Sequence, residues 1–371
     1  MIESIQNYKV DKVIHESITF CFLFLALSAG LGMAIDKIAI ILILFHVGLF
    51  IDFKASFDSS KVIIVLLMFS FILMTSIYNQ TFRVMVFYPV FGILLIFTFL
   101  EHNYYLKILH KVLIVYIVTC LIGTLFAYLV GSNIFVTSLA TKGFPFIKPT
   151  VGLTTTVQTY GSICMLWLIL HLNLSKKIIN FQFIIVSLAI LLTFNRSTYL
   201  FYIVVMSLYS KRFLFFIICS FLAIYAILFE SINSFIFNQS SITSRSELLQ
   251  GFYISFWNEN SFLGYLLGKA DNFYSPIVLQ QVKWGHRPDI ENLYAMLLHT
   301  YGFIGILFYL SSIIILLGYL FLRRNYRLLF VAAFYFFVTQ FFTQEIVTNV
   351  FYLFLSVILL LDNYKIENSS N

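Results

Sequence analysis

The densest group of polar side chains in this chain lies in the segment WGHRPDIENLY, residues 284–294. His286, Arg287, Asp289 and Glu291 stand close together there, directly before a long apolar run. A carboxylate or an imidazole at such a place can act as a general base, and an arginine beside it can bind an anion. The alternative is structural: the proline in this segment disfavours helix before it, so a helix starts near Asp289 and both carboxylates stabilise its first turn.

A second candidate is the segment SSITSRSELLQGFY, residues 240–253. Ser244 and Glu247 have the spacing of a capping box, which predicts a helix start with Arg245 at the first helical position. An arginine beside the free N–H groups of a helix N-terminus can form an anion site. The other interpretation is an ordinary solvated arginine.

A third candidate, Arg196, interrupts the apolar segment LLTFNRSTYLFY, residues 191–202. It lies within the 33-residue segment 178–210, which is flanked by Lys177 and Lys211. One helix of that length would extend about 50 Å, against about 30 Å of hydrocarbon. Two crossings need about 40 residues, so we expect a short hairpin whose turn lies below the headgroups. Arg196 would there face a watery cavity or an anion, or else extend to lipid phosphates.

Further polar residues could line the same cavity. Arg83 is expected in a short loop on the side of Arg196, and Asn292 directly follows Glu291. Gln344 and Glu345 lie at the end of a late apolar run and either line the cavity or hydrogen-bond between helices. The chain contains no DxD, HExxH, GxGxxG or glycine-rich phosphate-binding segment, so we predict neither a metal site nor a cofactor.

The elements that position these residues are apolar helices. The chain has 371 residues, of which 61% are hydrophobic and only 11% are charged, whereas a soluble domain carries about 25% charged residues. The composition predicts an all-α polytopic membrane protein with about twelve transmembrane helices. The apolar runs are roughly 17–35, 38–51, 61–77, 84–100, 106–130, 151–172, 178–194, 197–210, 213–229, 292–321, 328–344 and 346–361.

The basic residues predict how these helices are oriented. Fourteen Lys and Arg residues fall in one set of short loops and five in the opposite set. Because basic loops stay in the cytoplasm, both termini are expected there and the long stretch 230–290 outside. The chain then divides into helices 1–9 in residues 1–229, one extracytoplasmic loop in 230–290, and helices 10–12 in 291–371. The net charge of +7 is spread over short loops, so no nucleic-acid partner is expected.

Four segments together resemble the O-antigen polymerase and ligase superfamily of bacterial membrane glycosyltransferases. TFNRSTYL resembles the family's arginine at an outer hairpin, and TSRSELLQGF its Thr/Ser-Arg segment at the start of a large outer loop. NSFLGYLLGKADNFY is similar to the family's mid-loop segment, and ENLYAMLLHTYGFIGILFYL to the helix that ends the loop. The resemblance depends on the order in which these motifs occur around one long loop. The arrangement of membrane helices is similar over most of the chain, which extends the resemblance beyond the motifs themselves.

The resemblance implies a GT-C-like fold in the bacterial cytoplasmic (inner) membrane and a metal-independent glycosyltransferase. Its substrates would be oligosaccharides linked to undecaprenyl diphosphate, one as donor and one as acceptor, and a chain-length regulator is left open as a further partner. Ligases carry a histidine directly before the conserved asparagine, whereas this chain has Glu291 before Asn292. That departure favours a polymerase with Glu291 as the base, and His286 stays the rival base.

The arginines would bind the diphosphate: Arg196 and Arg245 directly, with Arg287 in support. Two alternatives to a polymerase stay open at this point. A ligase would join the glycan to lipid A core or to a protein. A transporter of lipid-linked sugars would show inverted repeats and charges near the membrane midplane, whereas here the charges gather at the helix ends and in the loop.

Overall fold

The structure is a computed structural model of the chain. It describes residues 14, 16–32, 35–50, 70, 74, 77–78, 102–131, 134–138, 148–175, 177–210, 212, 215, 219, 222, 239–259, 261–269, 292–343 and 345–369. The expectations for Arg83, His286, Arg287, Glu291 and Gln344 lie outside the described residues.

The described residues are helical, apart from turns and one isolated antiparallel bridge between Val136 and Thr150. The α-helices are α1 (Glu16–Ala26), α2 (Ile35–Phe50), α3 (His102–Val130), α4 (Val157–Leu174), α5 (Phe181–Leu192), α6 (Arg196–Tyr209), α7 (Gln239–Glu259), α8 (Phe262–Leu267), α9 (Leu293–Leu322), α10 (Tyr326–Ala333) and α11 (Asn349–Ser369). The predicted all-α class is therefore confirmed for the described part of the chain.

Three of the described helices are long and apolar enough to cross a membrane. They are Tyr105–Val130 in α3, Val157–Leu174 in α4 and Leu293–Leu322 in α9. These lengths are compatible with a helical membrane protein, since about 20 apolar residues span the hydrocarbon layer. The number of crossings stays a prediction.

The centre of the bundle is formed by α4 and the first half of α11. From Thr159 to Leu172, every residue of α4 is buried, and the side chain of Trp167 is fully enclosed. Residues Val350 to Leu361 of α11 are equally buried and pack against α3 and α4. A helix that is apolar on every side needs neighbours on every side, so these two helices form the core.

Several helices share one end, which we call the basic end. Asn173 in α4 donates a hydrogen bond to the Tyr209 hydroxyl at the end of α6, over 2.7 Å. The guanidinium of Arg327 lies 5.6 Å from the ring centroid of Tyr209, and Asn325 donates to Asp362 over 2.9 Å. The start of α4, the α5–α6 turn and the α10–α11 connection therefore lie together at the opposite end.

Helix α9 contains a sharp bend. The Tyr294 hydroxyl donates to the carbonyl of Phe337, the Tyr309 hydroxyl donates to that of Phe336, and the two tyrosine rings lie only 6.2 Å apart. In a straight helix these two residues would be about 22 Å apart along the axis. Gly302 has a left-handed backbone, with φ of 64°, and breaks the helix between them. The first nine residues of α9 consequently fold back toward the α10–α11 connection.

Helix α7 begins earlier than its capping pattern predicts. The helix starts at Gln239 instead of near Ser244, so Arg245 does not occupy the first helical position. Phe252 and Phe256 are buried in a cluster with α9, and this packing fixes the helix more strongly than a local capping preference does. The predicted helix start near Ser244 is therefore wrong; the backbone alone of Arg245 is described, and its anion-binding role stays a prediction.

Candidate functional site

The connection between α10 and α11 departs from α-helical geometry over most of its length. It consists of a π-helical turn, Phe334–Val338, and two 3-10 turns, Thr339–Phe341 and Glu345–Val347. The Thr339 and Thr343 hydroxyls each donate to a backbone carbonyl four residues earlier. Such side-chain bonds bend helices, and π-helical turns are frequent at functional sites.

Glu345 holds this connection against α4. Its carboxylate is buried, and its two oxygens have separate partners. The Ser162 hydroxyl in α4 donates to Oε1 over 2.6 Å, and the Tyr335 hydroxyl donates to Oε2 over 2.5 Å. Of the two roles expected for Glu345, the structure thus favours hydrogen bonding between helices over the lining of a cavity.

The electrostatics of Glu345 follow from its enclosure. Glu345 lies in the connection, outside the membrane-spanning helices, and burial raises the pKa of its carboxyl from 4.5 to about 7. Hydrogen bonds from Ser162 and Tyr335 act in the opposite direction, because they favour the charged form. The group is thus able to take up or release a proton near neutral pH.

Gln340 completes the polar cluster. Its Oε1 accepts the backbone N–H of Glu345 over 3.2 Å, and the side chain is fully buried. Its Nε2 has no hydrogen-bond partner among the described residues. The Gln340 side chain nonetheless lies close enough to the Glu345 carboxyl to lower its pKa, so the amide belongs to the same polar cluster.

The α5–α6 turn packs directly against the start of α4. A Cβ atom on Gly161 would lie 2.3 Å from the Thr198 hydroxyl, so α4 and α6 cross at this glycine. Asn195 caps α6 by accepting the Ser197 N–H, and its Nδ2 donates to the Thr198 hydroxyl over 3.0 Å. Because Gly161 adjoins Ser162, the turn and the Glu345 cluster belong to one polar region.

Arg196 is the first residue of α6, and its side chain is half-buried. Two helices occupy the segment 178–210 as predicted, but the turn between them is formed by Thr193, Phe194 and Asn195, one residue before Arg196. Phe194 has a φ of 47° in this turn, a left-handed conformation that a bulky residue rarely adopts. The tight α4–α6 crossing holds this backbone in place, and strained residues of this kind cluster at functional sites.

Asn292 joins the loop that precedes α9 to the same region. Its Oδ1 accepts the Ala295 N–H and caps α9, and its Nδ2 donates to the Phe341 carbonyl over 2.9 Å. The helix start expected near Asp289 is observed at Leu293, while Asp289 and Glu291 themselves lie outside the described residues. Glu291 directly precedes this cap in the chain.

Among the predicted site residues, the structure brings Arg196, Asn292 and Glu345 to one end of the bundle. Sequence reasoning missed Ser162 and Tyr335, which lie inside apolar runs. A signal was available for Ser162, since the segment TTTVQTYGS, residues 154–162, concentrates hydroxyl side chains at the start of a crossing. Within the described residues, no group of three or more His, Cys, Asp or Glu side chains could hold a metal ion.

Comparison of the chain with models of known protein families, with curated proteins and with solved structures finds no match. The family resemblance therefore rests on the sequence motifs alone, and the function is argued from the residues of the site.

Proposed function

We propose that this protein is a membrane glycosyltransferase that polymerises glycan repeat units carried on a polyprenyl diphosphate, in the bacterial case undecaprenyl diphosphate. The observation that carries the proposal is the position of Arg196 at the start of α6, in a hairpin too short to cross a bilayer. At 1.5 Å per residue, α5 and α6 extend only about 18 and 21 Å. The side chain of Arg196 is half-buried there, and a diphosphate suits a guanidinium geometrically.

Support for the orientation comes from the two ends of the bundle. Described basic residues gather at the basic end, including Lys107, Lys111, Lys177, Arg323 and Arg327. The positive-inside tendency then favours a cytoplasmic basic end and an extracytoplasmic Arg196. Twelve membrane helices, two of which form this short hairpin, cytoplasmic termini, an inner-membrane location and a GT-C-like arrangement are parts of the same proposal.

The proposed reaction is a single displacement at the anomeric carbon of the donor glycan. A sugar hydroxyl of the acceptor attacks that carbon, a new glycosidic bond forms, and the bond to the lipid diphosphate breaks. Glu291 accepts the hydroxyl proton, with His286 as the alternative base. Arg196, aided by Arg245 and Arg287, stabilises the negative charge that grows on the leaving diphosphate.

The bend in α9 supports the assignment of Glu291. Because the first part of α9 folds back at Gly302, Asn292 bonds the connection that carries Glu345. Asn292 therefore anchors the chain, one residue after Glu291, at the end of the bundle where α6 begins. Glu291 as the base and Arg196 as the diphosphate ligand would then act on the same substrate.

The experiment is a gel of surface polysaccharide from a deletion strain that expresses Arg196 variants. Arg196→Ala is expected to lower polymer formation about 10- to 100-fold, because one charged hydrogen-bonding group is lost. Arg196→Lys should restore little activity, since an ammonium cannot bind two phosphate oxygens side by side. Arg323→Ala at the basic end is the matched control and should leave chain length unchanged. Full-length polymer from the Arg196→Ala strain would refute the diphosphate assignment.

The same gel separates the polymerase from its alternatives. Loss of a polymerase leaves one repeat unit on the acceptor, whereas loss of a ligase leaves none. Transport of a labelled lipid-linked sugar by the purified protein, without formation of a new glycosidic bond, would instead favour a transporter.

A further inference from the structure

The helix pair α7–α8 is fixed tightly on the bend of α9. A Cβ atom on Gly268 would lie 2.4 Å from the carbonyl carbon of Thr300, and the Lys269 N–H donates to the His299 carbonyl over 2.8 Å. The Tyr265 hydroxyl also donates to a backbone carbonyl of α7. The position of this pair relative to α9 is thus set by backbone contacts, although the pair belongs to the stretch expected to be an aqueous loop.

The outer surface of this pair is apolar and aromatic. Tyr253 and Trp257 on α7, together with Phe262 and Leu263 on α8, are exposed, and we call these four side chains the aromatic patch. The segments 248–258 and 261–268 contain no Asp, Glu, Lys or Arg. Monomeric soluble surfaces rarely expose such a patch, so a partner for it must be sought.

The aromatic patch continues into an exposed stripe on α9. The rings of Trp257 and Phe303 lie 6.2 Å apart, and Phe303 is itself exposed. From Phe303 the stripe follows one face of α9 through Leu307 and Ile314 to Phe321, all of which are exposed. Helix α9 is one of the three candidate membrane spans. In a bilayer this stripe faces lipid tails, and the patch adjoins it at its Phe303 end.

The depth of the aromatic patch in the bilayer follows from the length of α9. From Gly302 to the end of the helix is about 30 Å, which equals the thickness of the hydrocarbon layer. The patch at Gly302 therefore lies at the boundary of that layer. Tyrosine and tryptophan are enriched at this level, because their rings are apolar and their polar groups can reach water.

We infer that the aromatic patch binds the bilayer itself, so that α7 and α8 lie in the interfacial layer and not in the aqueous phase. The inference does not depend on the proposed enzymatic activity, only on α9 crossing the membrane. The partner inferred here is lipid. Binding of the aromatic patch to a second copy of the chain or to a glycan would contradict the inference.

The test uses the fluorescence of Trp257 in the full-length protein reconstituted in phosphatidylcholine vesicles. Trp284→Phe removes one other tryptophan, and Trp167 is fully buried. The double variant Trp257→Phe/Trp284→Phe supplies the Trp167 background to be subtracted. Lipid brominated near the headgroup end of its acyl chains should quench most of the Trp257 emission, and aqueous iodide should quench little of it.

The result separates the possible partners. Strong iodide quenching without lipid quenching would place the patch in water and overturn the inference. Protection from both quenchers would show that protein covers the patch and would overturn it as well. Stronger quenching by lipid brominated near the methyl ends would contradict the interfacial depth. None of these outcomes bears on the Arg196 assignment, which the polysaccharide gel tests separately.

Discussion

The Glu345→Gln variant should change how the stability of the protein depends on pH. Burial raises the pKa of this carboxyl from 4.5 to about 7 in the folded protein. As the pH rises, this carboxyl ionises near pH 4.5 in the unfolded chain but only near pH 7 in the folded protein. The protonated carboxyl therefore stabilises the wild-type fold fully below about pH 4.5, and this stabilisation is lost as the pH rises to about 7. At about 1.4 kcal/mol per pH unit, the loss amounts to roughly 3 kcal/mol.

Glutamine resembles the protonated acid in shape and cannot ionise, so this loss should be absent in the variant. The Ser162 and Tyr335 hydroxyls can each donate or accept, and they can therefore bond an amide in place of the carboxylate. The thermal midpoint of Glu345→Gln relative to the wild type should rise by several degrees between about pH 5 and about pH 8.

The assay is thermal unfolding in detergent across this pH range for both proteins. Ser162→Ala is the matched control, because it keeps the carboxyl and removes one bond that favours its charged form. In that variant the pKa of Glu345 should rise further, and the loss of stability should extend to higher pH. Parallel midpoint curves for the wild type and Glu345→Gln would refute the assignment of a raised pKa to this group.

Two glycine substitutions test the packing that shapes the site. Gly302→Ala should destabilise the protein by more than about 2 kcal/mol, because a Cβ there strains a left-handed backbone and meets a backbone oxygen of α8 at 2.4 Å. Gly32→Ala has a similar φ and ψ but open space around its Cβ, so equilibrium unfolding should show only the cost of backbone strain, about 1–3 kcal/mol; a loss equal to that of Gly302→Ala would contradict the packing argument. Gly161→Ala should cost about 1–3 kcal/mol through its clash with Thr198, and Thr198→Ala should restore part of this stability. Gly318→Ala, with nothing near its Cβ, is the control in the same unfolding assay, and a loss there as large as for Gly161→Ala would refute the clash.

Local length and charge were enough to predict the α5–α6 hairpin. The lysines that flank 178–210 limit the segment to 33 residues, and the polar pair Asn195 and Arg196 marks the turn. This prediction succeeded because bilayer thickness sets a length that any crossing must meet. The turn is also local, so no distant residue was needed to locate it.

Other features of the site depend on contacts that no local pattern contains. Ser162 and Glu345 are 183 positions apart, and each is a single polar residue beside an apolar run. The bend at Gly302 is equally hidden, because glycine within an apolar run is also common in straight membrane helices. Here the backbone of α8 presses against Gly302, and that long-range contact selects the bend.

The α5–α6 and α10–α11 hairpins share one geometric property, which is that neither reaches across a bilayer. The stretches Tyr326–Phe341 and Asn349–Asp362 extend only about 24 and 21 Å, close to the lengths of α5 and α6. In the proposed orientation, with the basic end at one boundary of the hydrocarbon layer, the α5–α6 turn would stop roughly 10 Å short of the other boundary. Helix α3, at about 44 Å, extends well past this turn. Irregular backbone at such a depth is tolerated only where protein covers it or water reaches it. Protein covers the carboxyl of Glu345, which is buried between Ser162 and Tyr335, whereas the side chain of Arg196 is only half-buried. Under the proposed function, water or the diphosphate would therefore reach the α5–α6 turn.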